Sequence, residues 1–171
     1  MVGFKKIEAG NRGKIASSFP HFPDKAVPKG YDPGFNFVVV QKRINTRIFA
    51  LQSDPKATEG MKVDNPESGV VLDHTVTRRN FQDFFLVPQN VNQGTVTPTH
   101  FVNLYQSGER HLSPDLVQKL SYHLTHMYFN WPGTVRVPAP VQYAHKMVDM
   151  AGAHLGGNFP NKAHANRLYY L

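Results

Sequence analysis

The chain has 171 residues, a net charge of +7 and a sequence pI near 9.7. That is the length of one domain, and its charge favours polyanionic partners, nucleic acid before anionic membrane. Hydrophobic residues make up 40% and aromatics 12%, too many for a disordered polar tail; no apolar run nears the ~18–20 residues of a membrane span, and the lack of cysteine excludes disulfides, thiolate metal sites and thiol nucleophiles.

Residues 1–30 carry Gly3, Gly10, Gly13, Gly30, Pro20, Pro23 and Pro28 without any period, which predicts a loose basic arm. The first residues lack the apolar stretch of a signal peptide, so the expected home is intracellular. Tyr31-Asp32-Pro33-Gly34 reads as a turn. Phe35 to Val40 then forms a near-continuous apolar run, predicting a strand buried on both faces. Residues 52–69 are polar and hold Pro55, Gly60, Pro66 and Gly69, so an exposed loop is expected. Val70–Leu72, Phe84–Val87 and Phe101–Tyr105 are short strand candidates, with a turn at Gln93-Gly94 before the last.

The clearest helix is predicted over 114–129. Ser113 suits the N-cap and Pro114 the first turn. Leu116, Val117, Leu120, Leu124, Met127 and Tyr128 recur at helical spacing as its apolar face. Trp131-Pro132-Gly133 stops it, and Thr134–Val137 reads as extended. A second helix is predicted over 141–155, with Val141, Ala144, Val148 and Leu155 as its inward stripe. The pattern is α/β, a mixed sheet followed by two late helices.

His145 lies on that stripe. An inward histidine is either a hydrogen-bonded core residue or a metal ligand or general base, and spacing leaves both open. His123 and His126 are three apart on one helix, a metal pair or an exposed face. Lys42, Arg43 and Arg47 follow a buried strand, the usual ligand edge of an α/β sheet. Arg136 precedes a helix N-terminus, where free N–H groups favour anions. Asp73, Asp83, Asp115 and Asp149 are scattered and form no evident acid/base pair. No phosphate-binding glycine loop and no nucleophile elbow occurs. The residues alone describe a basic α/β domain that binds a polyanion.

The strings say more. Val38-Val39-Val40-Gln41-Lys42-Arg43-Ile44-Asn45-Thr46-Arg47 resembles the V-V-x-K-R-x-x-T-R segment of Argonaute-superfamily PIWI domains. Val71–Arg78, Asp83–Val87 and Gln93–His100 resemble the segments that follow it. His126–Gly133, Val135–Pro140 and Gln142–Lys146 resemble the PIWI subfamily in particular, and Asn166–Leu171 resembles its terminus. The resemblance runs over 31–171. It implies the C-terminal part of a PIWI domain, a partial RNase H-like fold, and binding of a small guide RNA of the piRNA class together with its target RNA. By position, Lys42, Arg43, Arg47, His100, Arg136 and Gln142 match guide-contacting residues. His145 matches the last member of the family's cleaving set of Asp, Glu, Asp and His around two Mg2+ or Mn2+ ions. The carboxylate of Leu171 matches one that helps hold a metal at the guide's 5′-phosphate.

The same resemblance marks what is missing. The Tyr-Arg-Asp-Gly string of the upstream acids does not occur, and the other modules of the parent (MID and PAZ) have no counterpart. The expectation is a fragment of a guide-loaded protein, inactive alone as a nuclease and holding no metal tightly, whose partners are guide RNA, target RNA and the rest of that protein. No membrane partner is expected; the cytoplasm, perinuclear granules and the nucleus are the expected sites of action. The alternatives are a non-catalytic remnant or interaction domain translated as it stands, and a metal-dependent hydrolase that pairs His145 with Asp73 or Asp149.

Overall fold

The computed structural model describes residues 35–56, 60–107, 112–156, 158, 161–164, 167 and 170–171. The expected arm over 1–30 and the turn at 31–34 lie outside them, as do Asn166, Leu168 and Tyr169 of the segment likened to the family's terminus.

Among the described residues, six strands precede two helices. They are β1 (Phe35–Gln41), β2 (Ala50–Ser53), β3 (Met61–Asp64), β4 (Val71–Leu72), β5 (Gln82–Leu86) and β6 (Thr99–Ser107), followed by α1 (Pro114–Leu124), α2 (Ala139–His154) and a 3-10 turn at Lys162–His164. One sheet runs in the order β1-β6-β5-β4, and β2 pairs with β3 as a separate ribbon. Every pairing among the described residues is antiparallel, which needs no crossover helix. The α/β arrangement with two late helices is as expected.

Alternation divides each strand between two faces. Phe84 of β5 opposes Phe101 of β6 in register, and their rings stack 4.8 Å apart. Phe84, Leu86 and Phe101 pack with Val117 of α1 as the core, flanked by Val38, Val40, Val71 and Tyr122. Burying such side chains contributes roughly 1.5–3 kcal/mol each. Gly69 admits Tyr122 to this layer: it has φ +92°, and a Cβ there would meet the tyrosine ring at 3.4 Å. The Tyr122 hydroxyl lies 3.3 Å from Ser68 Oγ, which donates to the Pro88 carbonyl.

Three expectations fail for physical reasons. First, β1 is half-buried over Asn36–Val40 rather than enclosed on both faces; among the described residues it is an end strand of its sheet. Second, 52–69 is not all loop. Leu51 opposes Val63 across the β2–β3 ribbon, and Asp54 N–H bonds the Gly60 carbonyl at its turn; Pro55 and Gly60 are the turn of a hairpin. Third, α1 ends at Leu124. Thr125 is fully buried, and its hydroxyl donates to the Tyr122 carbonyl at 2.6 Å. The next amides bond three residues back, a tightened last turn that the helix cannot continue through. The predicted face of α1 is also half open: Val117 and Ser121 are buried, while Leu116 and Leu120 are 49% and 48% exposed. Thr134–Val137 pairs with no strand among the described residues and is tied by a bond from Val135 N–H to the Thr125 carbonyl.

The stripe predicted for α2 is the larger correction. Ala144, His145, Val148 and Leu155 are all exposed. Val141 alone of the expected stripe is half-buried, along with Gln142, Tyr143, Lys146, Met147, Met150 and Ala151, so beyond its first turn the helix is turned from the expected register. Its start at Ala139, buried behind Pro138, lies slightly upstream of the prediction. No helix among the described residues is long and apolar enough to cross a membrane.

Candidate nucleic-acid interface

A cleft of about 640 Å³ opens where β1 ends, β6 begins and α2 starts. Each wall has a local cause. β1 delivers Lys42 and Arg43 immediately after Gln41. Arg43 has φ +58°, a left-handed conformation that costs a side chain about 1–2 kcal/mol. That bend ends the pairing and exposes both cations. Strained backbone of this kind gathers at functional sites.

The opposite wall is Arg136, held through its backbone. Thr99, the first residue of β6, donates its hydroxyl to the Arg136 carbonyl at 2.6 Å. Val137 beyond it is buried, so the guanidinium stays outside while the main chain is fixed. The helical period then brings Gln142, His145 and Asp149 of α2 to the same side, and all three line the cleft. His145 Nε2 lies 3.5 Å from Asp149 Oδ2, and its side chain is 44% exposed. Its inward, core-like placement is thus corrected: it faces an open cleft.

Electrostatics follow from this set. Lys42, Arg43 and Arg136 have no ion-pair partner among the described residues, and the lining carboxylate, Asp149, sits against His145. The cleft therefore carries uncompensated positive charge, which raises the local concentration of anions. Tyr128, Asn130 and Trp131 close the end nearest α1. Phe129 N–H donates to the Tyr143 hydroxyl at 2.9 Å, and the Tyr128 and Tyr143 rings lie 5.0 Å apart. Trp131 is 59% exposed, a flat apolar surface at the mouth of a basic groove. It is the chain's sole tryptophan, expected from the sequence as a helix stop and as part of the family-like run His126–Gly133 but not as a lining residue.

The remaining expected site residues lie elsewhere. The Arg47 guanidinium folds back on its own loop, donating to the carbonyls of Ile44 and Thr46. His100 is buried, with one ring nitrogen 2.8 Å from Gln41 Oε1 and the other 3.0 Å from Asp83 Oδ2. Leu171 is exposed and does not line the cleft; Tyr170 before it packs on Tyr143. His126 is turned onto the Tyr122 carbonyl.

The Piwi domain family model matches residues 23–156. The chain belongs to the Piwi domain family. It is similar to the Piwi-like protein Ago3 of Bombyx mori, 48% identical over 82% of this chain and 14% of that protein. It is likewise similar to Piwi-like protein 1 of Gallus gallus, 46% identical over 89% of this chain and 17% of the other. The crystal structure of Drosophila Piwi superposes with a TM-score of 0.62 at 37% identity, over 81% of this chain and 18% of that one. That of Kluyveromyces polysporus Argonaute with a guide RNA gives 0.62 at 28% identity, over 75% and 16%. This Piwi domain chain therefore spans less than a fifth of the length of these relatives. Its antiparallel sheet and two late helices are the C-terminal part of a PIWI domain, a partial RNase H-like fold.

The family raises the question of metal. Among the described residues, no three of His, Asp or Glu come together as a metal group would require. His145 and Asp149 supply one imidazole and one carboxylate. A two-metal centre needs more shared oxygen ligands than that, and the donor set does not fit one.

Proposed function

We propose that the cleft between β1, β6 and α2 holds backbone phosphates of a small guide RNA of the piRNA class, as part of a Piwi-type Argonaute protein. One observation carries this: Lys42, Arg43 and Arg136, none of them ion-paired among the described residues, converge on one groove with Gln142 and Trp131. Phosphate needs cations and donors. A single-stranded base finds its stacking platform on an exposed aromatic ring, here Trp131. The relative solved with a guide RNA supports the same reading. Lys42 and Arg136 act as charges on opposite walls, Arg43 as the bent corner between them, and Gln142 as a neutral donor. Arg47 and His100 support the loop and sheet behind the cleft.

Target RNA and the remainder of the longer protein are the partners that complete this reading. Phe129 is 81% exposed and Val148 69%, more large apolar surface than a free domain gains from leaving in water. Cleavage of target RNA, with divalent metal, belongs in this reading to the intact protein, where His145 would meet acids from other segments.

The test is fluorescence anisotropy with labelled single-stranded RNA and the 171-residue chain. The expected result is binding at low salt that weakens steeply as salt rises and that collapses in Lys42→Glu/Arg136→Glu. Binding indifferent to salt and to that double substitution would refute the assignment.

A further inference from the structure

Behind the cleft lies a polar chain, anchored on buried His100 and Asp83, that phosphate binding does not itself need. His100, the second residue of β6, opposes Gln41 of β1 on one side and Phe85 of β5 on the other. Its ring stacks on Phe85 with centroids 4.3 Å apart. Nε2 lies 3.0 Å from Asp83 Oδ2, and Nδ1 lies 2.8 Å from Gln41 Oε1. Both partner atoms are acceptors. An imidazole with one proton can donate to only one of them, whereas the doubly protonated ring donates to both.

The groups around the ring are these. Asp83 has a side chain only 2% exposed. Burial alone would raise its carboxyl, but hydrogen bonds from His100, from the Arg78 N–H and from the Arg78 guanidinium outweigh it and hold the group below the ordinary carboxylate range. A buried carboxylate thus faces Nε2 as a counter-ion. Arg78 faces Asp83 from the far side, and Phe85 and Gln41 carry no charge. When the ring has one proton, the carboxylate keeps it on Nε2. The bare Nδ1 then confronts the Gln41 oxygen, and the amide must turn over or let go.

Gln41 is the last residue of β1, and Lys42 and the left-handed Arg43 follow it directly. We infer that His100 is a positioning residue for the basic cleft: its doubly protonated ring clamps Gln41 and with it the end of β1, so phosphate affinity rises when the ring takes its second proton. The inference rests on the guide-binding reading above. Histidine changes charge between pH 5 and 8, which makes the clamp a pH-sensitive element.

A second histidine, His145, lines the same cleft, so the measurement uses a His145→Asn background. Labelled single-stranded RNA is titrated with the full chain at pH 6 and pH 8, at fixed low salt. Affinity should be about threefold or more higher at pH 6. Gln41 is exposed, so Gln41→Leu tests the clamp without opening the core, and it should reduce that ratio to near one. Gln41→Glu keeps an acceptor on the ring and should restore the rise at higher pH. Nitrogen-15 spectra of the imidazoles, read without RNA, should show both His100 nitrogens protonated at pH 6. A pH ratio that survives Gln41→Leu, or a singly protonated His100 at pH 6, overturns the clamp while leaving guide binding intact. If instead no version binds RNA at pH 6, or Lys42→Glu/Arg136→Glu changes nothing, the cleft reading itself fails and the clamp falls with it.

Discussion

Two clefts of similar size flank the sheet, and their contents differ. The one at the end of β1 measures about 640 Å³ and, among the described residues, carries Lys42, Arg43 and Arg136 against the carboxylate of Asp149. The other, beside α1, measures about 510 Å³ and sets Arg78 and Arg79 against Asp73 and Asp83. In the second, charges are largely neutralised in place. Asp83 bonds Arg78, and the Gln118 amide and His74 hold Asp73 below the ordinary carboxylate range. A concavity alone therefore says little about a polyanion; what separates the two is whether the protein's own side chains already satisfy its charges.

The sharpest way to break this contrast is to reverse charge in each cleft. Lys42→Glu/Arg136→Glu should lower RNA affinity by roughly a hundredfold at low salt and flatten the log–log salt slope by about two. Arg79→Glu in the second cleft should change affinity by less than about threefold, screened as a distant surface charge. Equal losses at both sites, read by anisotropy across a salt series, would mean that RNA follows net charge rather than this groove.

A smaller effect separates backbone from base contacts. Trp131→Ala should cost about 1–3 kcal/mol with single-stranded RNA, the value of one stacked base. Duplex RNA, whose bases are not free to stack on protein, should bind the variant as it binds the original chain. A loss shared by both forms would place Trp131 in the packing of the 125–137 segment instead of at the ligand.

How much of this was legible beforehand divides along the same line. Strand cores announced themselves, since Phe84-Phe85-Leu86 and Phe101-Val102 are apolar whichever way they face. Capping chemistry at Ser113 and Pro114 fixed the start of α1, and Ser113 Oγ does accept from Leu116 N–H. Lys42, Arg43 and Arg136 were visible as cations at element ends, but not their convergence, which depends on β6 running between those ends. Helical rotation was the weak point. Val141, Ala144, Val148 and Leu155 look like a buried stripe, yet Val148 is 69% exposed, because tyrosine and methionine fill the inward positions of α2. The β2–β3 ribbon was hidden by its polar turn, and the partners of buried His100, Asp83 and Gln41, lie 17 and 59 residues away in sequence.

The buried charge of Asp83 gives a stability test. Its folded pKa lies below the ordinary aspartate value. The ionised form therefore stabilises the fold above a pH of about 4, and this contribution is lost as pH falls through the folded value. Asp83→Asn should lower thermal stability at pH 7 and narrow the difference between the two proteins near pH 3. A constant gap across that range, followed by circular dichroism, would show that Asp83 acts through shape and not through charge.

The smallest expected effect lies in the loop between β4 and β5. Thr75 has φ +67°, a left-handed conformation that is a true outlier for a β-branched residue. The strain is not offset by burial, since Thr75 is exposed. Asparagine tolerates this region far better. Thr75→Asn should therefore raise stability by up to about 1 kcal/mol, with RNA affinity unchanged because Thr75 lines the neutralised cleft and not the basic one. If the variant instead gained stability but lost RNA binding, the strain at Thr75 would be serving the ligand. The contrast between the two clefts would then have to be redrawn with both of them in contact with nucleic acid.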